Sequence, residues 1–430
     1  MKSCNFAFEM QECDIMARDT YIARSLEPVL TRIAAQFPAV TLTGPRQSGK
    51  TTLLRRLFAD THDYASLETP SIRRAAHDDP QTFLDLHGPP VILDEVHNVP
   101  ELLPYIKERI DARRGDRGQY VLSGSHNLLL LQQVTESLAG RTAVLQLLPL
   151  TLREATGEPR RPLPWERAAS DTVPRAEAGT ATPPSTLEVW RTIVRGSYPE
   201  LVAQPDLDAA LWHEAYVRTY LERDVRVVRQ VGDLGLFQAF LVAMAARSGQ
   251  LLKLSDVARD LGVAVNTVKA WLSVLEASHQ AIVLRRYFVN IGRRLAKAPK
   301  VYLADTGLMC HLLGFRGAEQ AAVSPYAGQI FETAVFAEVF KTLAHRGEAP
   351  RLHFWRTSAG AEVDLLVPHG AALVPVEAKS SATPRPGMGR AIRQLQADLD
   401  EVTVPGYVIH AGTETLPVGR DVVGLPFFEL

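Results

Sequence analysis

GPRQSGKTTLL, residues 44–54, fits the pattern G-x-x-x-x-G-K-[ST], with Gly44, Gly49, Lys50 and Thr51 in the fixed places. The preceding stretch, PAVTLTG, reads as a short buried strand, and TTLLRRLFAD after the second glycine reads as a helix. A strand, a glycine-containing loop and a helix in that order are the context of a phosphate-binding loop. The glycines let the backbone curl until successive N–H groups face one phosphate. The helix N-terminus adds partial positive charge. Gly44, Pro45, Arg46, Gln47, Ser48, Gly49, Lys50, Thr51 and Thr52 are therefore the candidate nucleotide contacts. Lys50 is placed for the β- and γ-phosphates of ATP, and the Thr51 hydroxyl for Mg²⁺. A glycine turn that binds nothing is the alternative.

A second motif weighs against that alternative. VILDEV (91–96) is an apolar strand closing on two acids. Asp94 at the strand end can sit beside the Mg²⁺ that accompanies ATP, and Glu95 can orient and deprotonate an attacking water. A third strand, QYVLS, runs into SGSHN (123–127), where Ser123, Ser125 and Asn127 are candidates to bond the γ-phosphate or the water. Arg141 in ESLAGR is a candidate to stabilise transferred charge, from its own or a neighbouring subunit. Strands alternating with helices point to an α/β P-loop NTPase domain with a parallel sheet.

The totals set the frame. A chain of 430 residues suggests two to four domains, and a formal net charge of -1 gives no global pull toward nucleic acid. Three cysteines without paired or metal-ligand spacing suit a reducing, cytoplasmic setting. No apolar run is long enough to span a bilayer, so no membrane association is expected. The acidic start lacks the pattern of a secretory signal. Residues 1–20 read as a tail, and Met16 as a reasonable alternative start.

GPRQSGKTTLLRRLF, VILDEVHNVPELL, VLSGSHNLLLL, SLAGR and LLPLTLRE, followed by YLERDV and KVYLADTGL, resemble the prokaryotic AAA-type ATPases that pair an N-terminal P-loop domain with a C-terminal domain of unknown function. The resemblance implies ATP binding through Lys50, Thr51 and Asp94, with Glu95 as the base. The expected division is an ATPase domain at 21–154, a flexible connector or insertion at 155–186, a helical and winged-helix domain at 187–320, and a nuclease-like α/β domain at 321–430. Arg223 and Asp224 in YLERDV reach toward the ATPase domain or pair locally. The sequence sets no oligomeric state.

LLKLSDVARDLGVAVNTVKAWLSVLEA followed by AIVLRRYFV reads as a winged helix-turn-helix. Its first helix is expected to start at a Ser cap and end at Gly262, and its second to be capped by Asn266. Residues 251–300 hold nine Lys/Arg against three Asp/Glu, a local surplus of six in a nearly neutral chain. DNA is the expected partner of this stretch. Arg285, Arg286, Arg293, Arg294, Lys297 and Lys300 suit phosphates, and Lys269 the recognition helix. A protein-docking winged fold is the alternative.

The C-terminal segment places Glu332 on a helix, Asp364 on one strand, and Glu377 and Lys379 two apart on another. Residues two apart on a strand share a face. Asp364 and Glu377 can hold Mg²⁺ through oxygen, and Lys379 can position a water. The order resembles the restriction-endonuclease-like PD-(D/E)xK fold, with Gln394 in a helper position and Val363 where that pattern has proline. The reading is thus a Mg-dependent, ATP-hydrolysing protein that couples nucleotide state to a DNA-binding winged helix and a nuclease-like domain. The alternative is an ATP-gated regulatory or interaction protein whose nuclease-like domain cuts nothing.

Overall fold

Ala39–Thr43 (β1) is buried along its whole length, as befits a strand paired on both edges and covered on both faces. With Asp63–Ser66 (β2), Val91–Asp94 (β3), Tyr120–Gly124 (β4) and Thr142–Gln146 (β5) it forms a five-stranded sheet in the order β2-β3-β4-β1-β5. Every pairing in it is parallel. Side chains alternate between two cores. Val40, Leu42, Ile92 and Val121 pack with Leu53 and Leu54 of the helix Lys50–Phe58. Ala39, Leu93 and Leu122 pack with Leu102 and Ile106 of the helix Leu102–Ala112. β1 lies between β4 and β5, so the chain winds off in opposite directions on its two sides. Ligands of such sheets bind at that switch point, beyond the C-terminal strand ends.

The computed structural model describes residues 21–125, 134, 136–167, 183–221, 233–288, 298–399, 402 and 405–430. Asn127, Arg223, Asp224, Arg293, Arg294 and Lys297 lie outside them, as does the tail at 1–20.

The second half is built on another sheet. Its strands are Gln250–Leu251 (β6), Ala281–Arg286 (β7), Lys300–Leu303 (β8), His353–Arg356 (β9), Glu362–His369 (β10), Ala372–Lys379 (β11), Gly406–His410 (β12), Leu416–Pro417 (β13) and Val422–Pro426 (β14). The order of this nine-stranded sheet is β13-β14-β12-β11-β10-β9-β7-β8-β6. β7 pairs antiparallel with β8 on one edge and parallel with β9 on the other. The sheet therefore runs across the boundary expected at 320. The helices Leu254–Leu261 and Val265–Ala277 pack beside it through Val257, Val268, Leu272 and Leu275. Gly262 ends the first of them in the left-handed conformation, as expected. The expected caps are each displaced toward the chain start: Lys253 and Ala264 occupy the N-cap positions, so Ser255 and Asn266 fall inside first turns.

The stretch expected to be a flexible connector is ordered in its first part. Leu163 and Trp165 enter the main core, Arg346 bonds Glu166 at 2.6 Å, and Arg161 reaches the Phe428 carbonyl at 2.8 Å. Its prolines and arginines gave no apolar period, yet single large side chains anchor it. No helix among the described residues is long and apolar enough to cross a membrane.

The two halves are joined by the segment just after β5. The helix Ala327–His345 is buried on nearly all sides, yet it carries Glu338, Lys341, Thr342 and His345 on one face. The Leu152 amide donates to both Glu338 oxygens at 3.0 Å, and Lys341 donates to the Leu150 carbonyl at 2.6 Å. Arg153 donates to Thr342 at 2.9 Å. The Leu148 amide donates to His345 Nε2 at 3.0 Å, while His345 Nδ1 lies 3.1 Å from Glu154 Oε1. A ring that accepts at Nε2 must carry its proton on Nδ1, so His345 is neutral and donates to Glu154. Burial agrees, holding the His345 pKa below 6.5 against the pull of the Glu154 carboxylate. Burial would raise the Glu154 carboxyl, but the groups around it, Arg24 at 3.3 Å among them, hold it well below the usual range. With a neutral His345, Arg24 and the donated hydrogen bonds account for that better than a charged imidazole does.

An unfolded chain takes up a proton at His345 as pH falls through 6.5, and the folded chain does not. Stability from this site is therefore complete above that pH and lost below it. The depressed pKa values of His213 and His279 act in the same sense. Thermal unfolding followed from about pH 7.5 to about pH 5.5 should show a steadily falling midpoint. A midpoint that holds constant would contradict a neutral, buried His345.

Candidate nucleotide site

The loop 44–49 leaves the C-terminal end of β1 at the switch point. Gly44 has φ 149° and Gly49 φ 90°, and Gln47 sits at φ 59°. A Cβ added to Gly44 would stand 2.0 Å from the Leu147 carbonyl oxygen, so only glycine fits there. Lys50 is buried, and its ammonium donates to the carbonyls of Gly44 and Pro45 at 3.0 and 2.9 Å. Arg24 braces the loop from outside, donating to the Ser48 carbonyl at 2.8 Å and the Leu148 carbonyl at 2.6 Å.

Asp94 ends β3 beside this loop and is buried. One carboxylate oxygen accepts from Thr51 at 2.7 Å and from Tyr64 at 2.8 Å, and the other accepts from Ser123. A hydroxyl and a carboxylate in contact at the loop's exit are the oxygen donors that Mg²⁺ takes together with phosphate oxygens. The curled glycine loop and the buried ammonium fit a polyphosphate equally well.

Glu95 adopts φ 54°, a conformation uncommon outside glycine. This turns its carboxylate toward the end of β4. The Ser125 amide and hydroxyl donate to Glu95 Oε2 at 3.0 and 3.1 Å, and His97 Nδ1 lies 3.1 Å away. Burial would raise the Glu95 carboxyl, but the hydrogen bond from His97, the charge of Lys50 and the Ser125 amide outweigh it. Glu95 is held ionised.

The structure thus gathers Lys50, Thr51, Asp94, Glu95, Ser123 and Ser125. It does not gather Arg141, whose carbonyl accepts from the Ala39 amide at the start of β1. That is the opposite end of the strands, a strand length of roughly 17 Å from the loop. The Arg141 guanidinium makes a two-pronged pair with Asp111 at 2.8 and 2.9 Å. As a charge stabiliser in its own subunit's site, Arg141 is excluded by position. Tyr64, His97 and Arg24 were missed. Only His97, two residues past the acid pair, left a trace in the sequence.

The C-terminal acids also come together, around an unexpected cation. Lys300, expected on a solvated wing, is 2% exposed, with its ammonium 2.8 Å from Glu332, 2.6 Å from Glu362 and 3.6 Å from Asp364. Tyr302 donates to Glu332 at 2.7 Å. Lys379 donates to Glu377 at 2.8 Å. Burial and the Asp364 charge push the Glu332 pKa up to about 7. Burial and Asp364 also keep Glu377 protonated, and Lys300, Lys379 and the Ala378 amide keep Asp364 ionised against its own burial. The ammonium groups of Lys300 and Lys379, with the proton on Glu377, thus offset most of the cluster's negative charge. Among the described residues no group of three or more His, Cys, Asp or Glu is placed to hold a metal ion. Gln394 is exposed on the helix Arg390–Asp398, whose Ile392 and Leu395 face the sheet.

A parallel sheet with this loop at its switch point, and a buried acid pair at the neighbouring strand's tip, defines an ATP-binding domain of the P-loop ATPase type. In agreement, residues 36–156 match the family model described as an AAA domain. Residues 186–319 and 327–428 match two further models, each described only as a domain of unknown function. An uncharacterized protein of Mycobacterium tuberculosis is 28% identical over 398 residues, covering 92% of this chain and 82% of that protein. An uncharacterized protein of Mycobacterium bovis matches with the same values. Among solved structures, a Walker-type ATPase of Pyrococcus abyssi is 15% identical, covering 69% of this chain and 97% of its own, with a TM-score of 0.45. The Orc1 protein of Aeropyrum pernix, solved in complex with DNA, is 16% identical over 68% of this chain and 93% of its own, with a TM-score of 0.27.

Lys300→Met should lower stability by about 3 kcal/mol or more, because it leaves buried carboxylates without their cation. Adding Glu332→Gln to that variant should restore part of the loss, as read in a double-mutant cycle by chemical denaturation. Simple additivity of the two changes would show that Lys300 and Glu332 are not coupled.

Proposed function

We propose that this chain is a Mg-dependent ATPase whose nucleotide state is passed to a DNA-contacting winged module, with a C-terminal nuclease-like fold that docks rather than cuts. The contact between Thr51 and Asp94 at 2.7 Å, with Glu95 held ionised beside it, carries the reading. In it, the loop amides and Lys50 bind the phosphates. Thr51 and Asp94 would hold Mg²⁺, which when bound would supply neutralisation of phosphate charge. Ser123 fixes Asp94. Glu95 takes the proton of the attacking water, with Ser125 and His97 setting the direction of its carboxylate.

The winged reading rests on two helices joined at Gly262 and followed by the β7–β8 hairpin. Lys269 on the second helix and Arg285 on β7 are exposed, free to meet phosphates. Arg286 instead stacks over Phe288 and bonds the Arg356 carbonyl. Lys300 is withdrawn into the acid cluster. That withdrawal favours a docking role over cleavage for Glu332, Asp364, Glu377 and Lys379, because Lys300 already occupies Glu332 and Asp364 as an ion-pair partner.

Glu95→Gln should keep nucleotide binding and lose hydrolysis by about 10²–10⁴-fold, measured as phosphate release. Lys50→Ala should lose binding itself. An unchanged rate in the first or unchanged affinity in the second would sink the assignment. The full chain should retard duplex DNA without nicking plasmid in Mg²⁺ or Mn²⁺. Reversing Lys269 and Arg285 to Glu should weaken that binding and reduce the log–log salt slope by about 1 per lost phosphate contact. Metal-dependent nicking that Asp364→Ala abolishes would restore the cleaving alternative.

A further inference from the structure

His279 is the second residue past the helix Val265–Ala277, in the downstream half of the chain, yet its ring reaches the nucleotide domain. Gln146, the last residue of β5, donates from Nε2 to His279 Nδ1 at 2.5 Å. Gln146 is the register partner of Thr43, from which the phosphate-binding loop departs, and the next amide, Leu147, donates to the Thr43 carbonyl at 2.8 Å. The imidazole therefore stands at the root of the loop. It is 8% exposed, and Nε2 is buried without a hydrogen-bond partner among the described residues. A neutral ring that accepts at Nδ1 carries its proton on Nε2, so the orphan atom is a donor. Leaving a buried donor unsatisfied is costly unless something completes it.

The backbone holds this ring in place. His279 has φ 57°, the left-handed turn that ends the helix Val265–Ala277. Its neighbours lock that conformation: the Gln280 amide donates to the Leu275 carbonyl at 2.8 Å, the Gln280 side chain donates to the Tyr216 hydroxyl at 3.0 Å, and the Gln280 carbonyl accepts from Ala304 at 2.9 Å. The Gln280–Leu275 bond is the closure of a helix C-terminus through a left-handed residue, which fixes where the ring leaves the backbone. Burial, aided by the charge of Lys50, lowers the ring's pKa to about 3, so the ring stays neutral.

We propose that His279 is a nucleotide-contacting residue, donating from Nε2 to a phosphate oxygen of the ATP held by the loop 44–51. This rests on the reading of that loop as a triphosphate site. It gives the downstream half a direct hold on the nucleotide, two residues from the end of the helix that carries Lys269. Gln146 is the positioning residue that fixes the tautomer. Pro199, whose Cγ would lie 3.8 Å from a Cβ on Gly49, brings the downstream half against the same loop.

The test uses the full chain and a fluorescent ATP analogue. His279→Ala should weaken ATP binding about tenfold, the loss expected for one hydrogen bond to a charged group. His279→Gln, which returns an N–H near the Nε2 position, should recover much of it. In parallel, ¹⁵N-histidine spectra of the wild-type chain should show the His279 Nε2 resonance moving with Mg·ATP and staying still with adenosine. This readout needs no variant to fold. Wild-type affinity in the alanine variant, or equal losses in both variants with an unmoved resonance, overturns the contact while leaving the loop reading intact. A wild-type chain that binds no nucleotide, like its Lys50→Ala counterpart, overturns both.

Discussion

A single buried carboxylate, Glu154, sets the relation between the two halves of this chain. It is fully enclosed, accepts from the amides of Ser25 at 2.7 Å and Thr151 at 2.9 Å and from His345, and forms an ion pair with Arg24 at 3.3 Å. An ion so placed is tolerable only when nearly every lone pair is met, and removing any partner leaves a charge without compensation. The partners come from three separate parts of the chain: Arg24 and Ser25 from the N-terminal approach to the first sheet, Thr151 from the segment after β5, and His345 from the long helix of the second half. Folding of one half therefore supplies the conditions for the other. The helix Ala327–His345 extends the grip along the segment 148–154 with carboxylate, ammonium, hydroxyl and imidazole groups in successive turns.

The nucleotide site inherits its rigidity from that joint. Arg24 pairs electrostatically with Glu154 through Nε at 3.3 Å and donates to the Ser48 and Leu148 carbonyls from the other two nitrogens. The loop that cradles phosphate is thus tied to the same carboxylate that anchors the downstream helix. Arg24, Glu154 and His345 form a run of direct contacts from the loop to the downstream helix.

Much of the site was legible in the sequence because its constraints are local. Gly44, Gly49, Lys50 and Thr51 are dictated by one turn of backbone, and Asp94 and Glu95 by the end of one strand. Where the reading failed, the deciding fact was long-range. Arg141 is close to the site's other candidates in sequence but precedes β5, and a strand's length separates its start from its end. Lys300 looked like one more cation of a basic stretch, since charge counts cannot tell a solvated lysine from one facing three acids contributed by residues 332–364. The packing of Leu163 and Trp165 was hidden by a proline- and arginine-rich composition that usually marks loose chain. The polar stripe Glu338, Lys341, Thr342 and His345 was visible at helical spacing within an apolar helix, and its periodicity could have marked it as an interface.

The position of Lys300 also bears on how the second sheet works. Its strand, β8, belongs to the hairpin beside the two helices, while the carboxylates that surround it come from the long helix and from β10. Because β7 pairs with both β8 and β9, the hairpin cannot tilt without disturbing the central sheet. The ammonium adds an electrostatic lock to that backbone continuity, in a setting where separating the charges would expose each to a poorly solvating interior. A hinge between the helices with their hairpin and the C-terminal strands is therefore disfavoured. The two halves meet instead at the polar joint of residues 148–154, where buried hydrogen bonds and ion pairs, rather than a shared sheet, connect them.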